Sequence, residues 1–235
     1  MQYHAAIFDL RGTLLKDPEP HFTLNATTMQ ARSLGVDPIR FASCWYKHAH
    51  QTFADIELPW IESNLQAVCD ELGVVLDPML RRRMAEQREE VIRQTLAPRR
   101  GAVRMLTRLR AAGIKTAVVG DVPPDVRIML QQTELAEHLD FELLSTSGSC
   151  KHTDPRVLGH TLKELGLPAH TCLYISAGGL DELDTADAFG MQPVAFRADD
   201  EGAACKPPAY RSAYPCACTM IEVYWLATEP VDAIA

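Results

Sequence analysis

Apolar and polar positions divide this chain into a short strand, a long helical stretch and a tail in which the two periods alternate. Residues 4–10 form an apolar run that stops at Arg11-Gly12-Thr13, the pattern of a buried strand entering a turn. From 16 to 95 the apolar spacing becomes three and four. Segments near 24–35, 39–53, 59–73 and 78–95 each predict an amphipathic helix. Pro38, Pro59 and Pro78 stand near three of the predicted starts, where a missing N–H costs nothing. Beyond 96, helices are predicted at 101–112 and 123–134, from Asp154-Pro155 to Gly166, at 181–189 and around Glu222–Leu226. Strands are predicted at 115–119, 140–144, 172–176, 193–197 and near 217–221. The alternation predicts an α/β fold, a Rossmann-like parallel sheet with helices on both faces. The expected organisation is an α/β core of residues 1–15 and 96–235, interrupted after its first strand by an all-helical domain at 16–95.

In such a sheet the site lies at the carboxyl ends of the strands, so the loops there carry the candidate chemistry. Asp9 ends the first strand, and strand alternation puts Arg11 on the same side. A guanidinium stays charged at working pH, so it cannot serve as a general acid or base, and it repels a divalent cation. The next strand runs into Gly120-Asp121, just before Pro123-Pro124. Asp121 reads equally well as a turn residue. Lys151-His152 precedes the helix cap at Asp154. The last of these strands ends in Tyr174-Ile175-Ser176-Ala177-Gly178-Gly179-Leu180-Asp181-Glu182-Leu183.

Taken together, these loops resemble the motifs of the haloacid dehalogenase-like (HAD) hydrolase superfamily. Phe8-Asp9-Leu10-Arg11-Gly12-Thr13 resembles its first motif, in which a second acid stands where this chain has Arg11. The resemblance implies that Asp9 is the nucleophile that forms an aspartyl ester. It also implies that the general acid/base is lost at Arg11. A Ser or Thr of the second motif is replaced by Gly120, followed by Asp121. Lys151 is the implied charge-neutralising lysine, one residue out of the usual spacing, with His152 beside it. In the fourth motif the metal-binding acid is replaced by Ala177, while Ser176 and Asp181 remain. Mg²⁺ is expected not to bind at physiological concentration, since a hard cation needs several oxygen ligands. No cofactor is expected.

The helical domain at 16–95 takes the position of a family cap, a specificity lid by the same resemblance. Its Trp45, Tyr46, His48, His50 and Trp60 have two roles open to them, ligand contact or helical core. An ordinary Mg²⁺-dependent phosphatase is not expected. Two functions remain. One is a metal-independent enzyme using Asp9 on a small acid or ester, of which a 2-haloacid dehalogenase is a narrower case. The other is an inactive pseudo-hydrolase kept as a binding or regulatory protein.

Composition narrows the partners. The chain has 235 residues, 23% of them charged, and a net charge of −8. The main basic cluster, Arg81-Arg82-Arg83, is interleaved with Glu86, Glu89 and Glu90 on one predicted helix, a solvated face rather than a nucleic-acid site. No membrane span or secretion signal is expected. Seven scattered cysteines suggest reduced thiols in the cytoplasm. Cys205 with Cys216 and Cys218 lacks an evident fourth ligand for a zinc site. The expected partner is a small anionic molecule, with no nucleic acid and no membrane. The oligomeric state is open.

Overall fold

The computed structural model describes residues 3–16, 22–49, 59–145, 154–177, 180–198 and 214–229. The chain forms two compact units. One comprises Met1–Lys16, Pro98–Val122 and Gln131–Ala235; the other comprises Asp17–Ala97 with Pro123–Leu130.

The first unit is a parallel sheet of six strands in the order β3-β2-β1-β4-β5-β6. The strands are β1 (Ala5–Asp9), β2 (Lys115–Asp121), β3 (Phe141–Ser145), β4 (Cys172–Ser176), β5 (Gln192–Phe196) and β6 (Cys216–Ala217). This is the α/β, Rossmann-like architecture that the alternation predicts. β1 lies between β2 and β4, and the order reverses direction there. All five β1 residues are buried, as a strand covered on both faces requires.

Side-chain alternation assigns the helices to faces. Ala5, Ile7, Ala117, Val119, Cys172, Tyr174 and Ala195 share one buried cluster with α7 (Pro155–Leu165) and α8 (Leu180–Ala188). The other parity turns toward α5 (Ala102–Ala111) and α9 (Met220–Thr228), which pack on each other. Asp154 caps α7 by accepting from the Arg156 N–H at 2.9 Å, and Pro155 opens the helix. Gly166, at φ 67°, closes it.

Two boundaries differ from expectation. β6 covers only Cys216–Ala217, and α9 starts at Met220. The reason is a reciprocal cap: Thr219 Oγ1 accepts from the Glu222 N–H while the Glu222 carboxylate accepts from the Thr219 N–H. The helix expected over 123–134, α6, spans only Pro124–Leu130. The polar residues Gln131, Gln132 and Thr133 give it no apolar face to continue on, and the chain turns.

The second unit holds α1 (Phe22–Ser33), α2 (Pro38–Ala49), α3 (Trp60–Leu72), α4 (Pro78–Thr95) and α6. At its centre is a buried cation. Arg88, 4% exposed, donates from Nε to Asp125 Oδ2 at 2.7 Å, and from Nη1 to Gln30 Oε1 at 3.1 Å and Thr27 Oγ1 at 3.3 Å. Its guanidinium lies 3.7 Å from the centre of the Trp45 ring. Trp45 stacks on Phe41 and meets Trp60 edge-on, and it is fully buried. Trp45 is thus helical core, and of its two open roles ligand contact is ruled out by burial.

Removing one member of a buried pair strands the other charge. Arg88→Met should therefore lower stability by about 3–5 kcal/mol in urea unfolding, while Arg88→Met with Asp125→Leu should recover most of that loss. A single substitution costing less than about 1 kcal/mol would show that the pair does not hold these helices together.

Candidate active site

Parallel strands expose their carboxyl ends together, and ligands of such sheets bind where the strand order reverses. Here that point lies between β1 and β4. Asp9 is the last residue of β1, opposite Val119 of β2, and is 7% exposed. Phe8 pairs with Ile175, which sets Ser176 level with Asp9 on the neighbouring strand. Both belong to the parity that faces α7 and α8.

The loop leaving β1 is tied in place by backbone groups that have run out of ladder partners. Gly12 takes φ 72°, a left-handed turn that favours glycine. The Leu15 N–H returns to Leu10 O at 2.9 Å, and partly exposed Arg11 bridges to Leu15. Fully buried Thr13 accepts through Oγ1 from the Ala177 N–H at 2.8 Å, which joins the loops after β1 and β4. Arg197 Nη1 donates to Ala177 O at 3.0 Å. Arg99, also buried, donates from Nε to Gly12 O at 3.0 Å. Thr13, Arg99 and Arg197 are positioning residues. The Gly-Thr turn signals the first in the sequence; nothing local signals the two arginines.

The acid that reaches Ser176 is Glu182. Ser176 Oγ donates to Glu182 Oε2, and both side chains are buried. Asp181, the acid expected in the site, is exposed, and its carbonyl accepts from Thr185 Oγ1 at 2.5 Å. One residue along a helix is a rotation of about 100°, so the start of α8 decides which acid turns inward. Tyr174 completes the cluster from β4. Burial pushes its hydroxyl pKa well above the ordinary value, and the carboxylates of Glu182 and then Asp9 push it further. Its hydroxyl has no hydrogen-bond partner among the described residues.

Gly120 lies beside the cluster. A Cβ there would sit 3.6 Å from Asp9 Oδ1 and 3.6 Å from Leu10 Cβ, ordinary contact distances. Asp121 is the last residue of β2, paired with Ser145, rather than part of a turn. Lys151, His152 and Gly179 lie outside the described residues, as does His50. Among the helical residues singled out, Tyr46 is exposed, and His48 meets Glu71 Oε2 at 2.6 Å.

Among the described residues no group of three or more His, Cys, Asp or Glu side chains is arranged to hold a metal ion. Where the fourth loop would offer a carboxylate it has Ala177, and that residue's N–H and carbonyl are both engaged. The expectation of reduced thiols throughout is corrected at one position: Cys218 is disulfide-bonded, while Cys44, Cys69, Cys172 and Cys216 are free. Spacing cannot reveal a bond between cysteines brought together by folding. Among the described residues no helix is long and apolar enough to cross a membrane.

The unpartnered Tyr174 hydroxyl gives a prediction. A buried unsatisfied polar group costs about 1–3 kcal/mol. Tyr174→Phe should leave stability unchanged or raise it by up to about 1 kcal/mol in thermal or urea unfolding. A loss of more than about 1 kcal/mol would reveal a hydrogen bond made by that hydroxyl.

Known proteins place the fold. The profile of haloacid dehalogenase-like hydrolases matches residues 3–185. No curated protein matches the chain. A HAD phosphatase from Thermococcus onnurineus superimposes with a TM-score of 0.59 at 20% identity, covering 94% of this chain and 96% of its own. An L-2-haloacid dehalogenase superimposes with a TM-score of 0.53 at 16% identity, covering 97% and 99%. CbbY from Rhodobacter sphaeroides, in complex with xylulose-(1,5)bisphosphate, gives 0.56 at 18% identity, covering 94% and 96%. At such identities the likeness is one of fold, shared by phosphatases and dehalogenases alike. The family profile covers more than half of the sequence, and the chain belongs to the haloacid dehalogenase-like hydrolase family.

Proposed function

We propose that this protein is a hydrolase that works without Mg²⁺, using Asp9 as nucleophile on a small anionic acid or ester. The observation that carries the reading is a combination. Asp9 is kept, buried at the strand end beside Ser176 and Glu182, while Arg11 stands where the family's general acid/base would and Ala177 where its metal-binding acid would. The residues present do not fit a Mg²⁺ site. Ala177 supplies no carboxylate, and Arg11 brings a cation to the loop position where the family motif has an acid. In this reading the Arg11 guanidinium supplies that charge itself and orients a substrate carboxylate or phosphate.

The reaction has two steps. An Asp9 carboxylate oxygen attacks the electrophilic carbon or phosphorus, and the leaving group departs with the bonding electron pair. A halide leaves as it is; an alkoxide takes a proton from solvent. Water then attacks the Asp9 ester and frees the Asp9 carboxylate from the product. The water proton passes to Glu182, the buried acid that shares the Tyr174 surroundings with Asp9, and from there to the departing product oxygen or to solvent. Lys151 is the second proposed cation, and His152, Asp121 and Asp181 are further candidates for substrate contact. A 2-haloacid is one substrate of the required kind. A dehalogenase and phosphatases among the similar folds support the class of reaction, not the substrate.

The second reading is a pseudo-hydrolase that binds an anion without turning it over. The same two replacements, Arg11 and Ala177, favour it. One experiment separates the two. A panel of phosphate monoesters and 2-haloacids is assayed with Mg²⁺ and with chelator, using wild type and Asp9→Asn. The proposal expects turnover that survives chelator and falls about a thousandfold or more in Asp9→Asn. Turnover that chelator abolishes overturns it, and no turnover on any substrate favours the pseudo-hydrolase.

Gly120 allows a gain-of-function test. Its surroundings accept a Cβ, so Gly120→Ser should fold normally and place a hydroxyl beside Asp9. One added hydrogen bond is worth about 0.5–1.5 kcal/mol, so KM for a phosphate-bearing substrate should drop about two- to tenfold. An unchanged or higher KM would mean that the substrate does not lie against Gly120.

A further inference from the structure

The sequence is acidic overall, yet one face of the α/β unit concentrates arginine. Arg104 and Arg108 stand one turn apart on α5, and Arg100, just before the helix, borders the same cavity. They border a cavity of about 610 Å³ walled by α5, the end of β5 and the start of α9. Met105, Phe196 and Met220 form its apolar wall. That volume lies within the ordinary range for small-molecule sites, about 300–1,000 Å³.

The arginines differ in their commitments. Arg99 at the base is held to Gly12 O, and its guanidinium lies 5.7 Å from the Phe196 ring centre. Arg108 lies 5.7 Å from the ring centre of Tyr224. Arg100 and Arg104 are exposed, and neither forms an ion pair with a described residue. Glu134 borders the same arginines along the adjoining surface, with no ion pair to them. Arg100 and Arg104 border the groove without carboxylate partners among the described residues and leave it positively charged, and a bound anion would offset that charge.

We propose that this groove is a second ligand site, distinct from the Asp9 cluster, for a small amphipathic anion. Its head is a phosphate or carboxylate gripped by Arg100 and Arg104, and its aromatic or aliphatic body lies on Met105, Phe196 and Met220. Arginine suits the head because its planar fork binds such oxyanions in pairs of hydrogen bonds. The apolar wall favours a ligand with a body over a bare inorganic ion. The site does not depend on the Asp9 chemistry and stands whether or not the protein is an enzyme.

The test is calorimetric titration of the full chain with phenyl phosphate, benzoate and inorganic phosphate. The variants are Asp9→Asn, R100Q/R104Q and R100E/R104E, the neutral pair guarding against misfolding of the reversed one. Saturable binding of an aryl anion is expected, with a component that persists in Asp9→Asn and is weakened about tenfold or more in R100Q/R104Q. Inorganic phosphate should bind about tenfold more weakly than phenyl phosphate. The tighter of phenyl phosphate and benzoate identifies the head group. Absence of saturable aryl-anion binding overturns the proposal. So does binding that Asp9→Asn abolishes and R100Q/R104Q leaves intact, and so does inorganic phosphate binding as tightly as phenyl phosphate.

Discussion

A parallel sheet satisfies its backbone polar groups through ladders, and every strand must eventually leave the ladder. Where β1 and β4 end, the chain needs new partners for those groups in a place buried from water. Thr13 supplies one by accepting from the Ala177 N–H. Arg197 and Arg99 supply others by donating to the carbonyls of Ala177 and Gly12. These three contacts bind the loops after β1 and β4 into one rigid edge. The side chains that project there, Asp9 and Ser176, owe their mutual placement to that edge. It is the constraint on which any chemistry at this site rests.

The same constraint bears on the replacement of the metal-binding acid. The fourth-loop residue is fixed through its main chain, so Ala177 can keep its position in the fold without a carboxylate. Scaffold and metal site are separable in this architecture, which is why a HAD fold can persist while its cation chemistry changes. In the proposed enzyme, a charge absent at Ala177 and one reversed at Arg11 would act in one direction, away from a divalent cation and toward direct recognition of an anion.

Much of the fold was legible because each segment agrees with its neighbours. Period-two and period-four stretches alternate, and Pro155 with Gly166 punctuates α7 at the predicted points. What the sequence left open lies where tertiary contacts outweigh local pattern. Trp45 sits in a helix with Tyr46 and His48, and only the packing of Phe41, Trp60 and Arg88 around it shows that it is core. Nothing local marks Arg88 as buried; α1 and α6 supply Gln30, Thr27 and Asp125 around it. Within the site, Asp9 was readable from its place at a strand end. Glu182 was not, because Asp181 and Glu182 are adjacent acids and helix phase alone chooses between them.

The exchange of a cation for an arginine at this edge is the defining feature of the proposed enzyme. Its most direct test is calorimetric titration of Mg²⁺ into wild type and into a variant that restores both acids, Arg11→Asp with Ala177→Asp. Wild type should show no saturable binding at physiological Mg²⁺, and one-site binding should appear in the restored variant. Tight one-to-one binding by wild type, lost in Asp9→Asn, would contradict it.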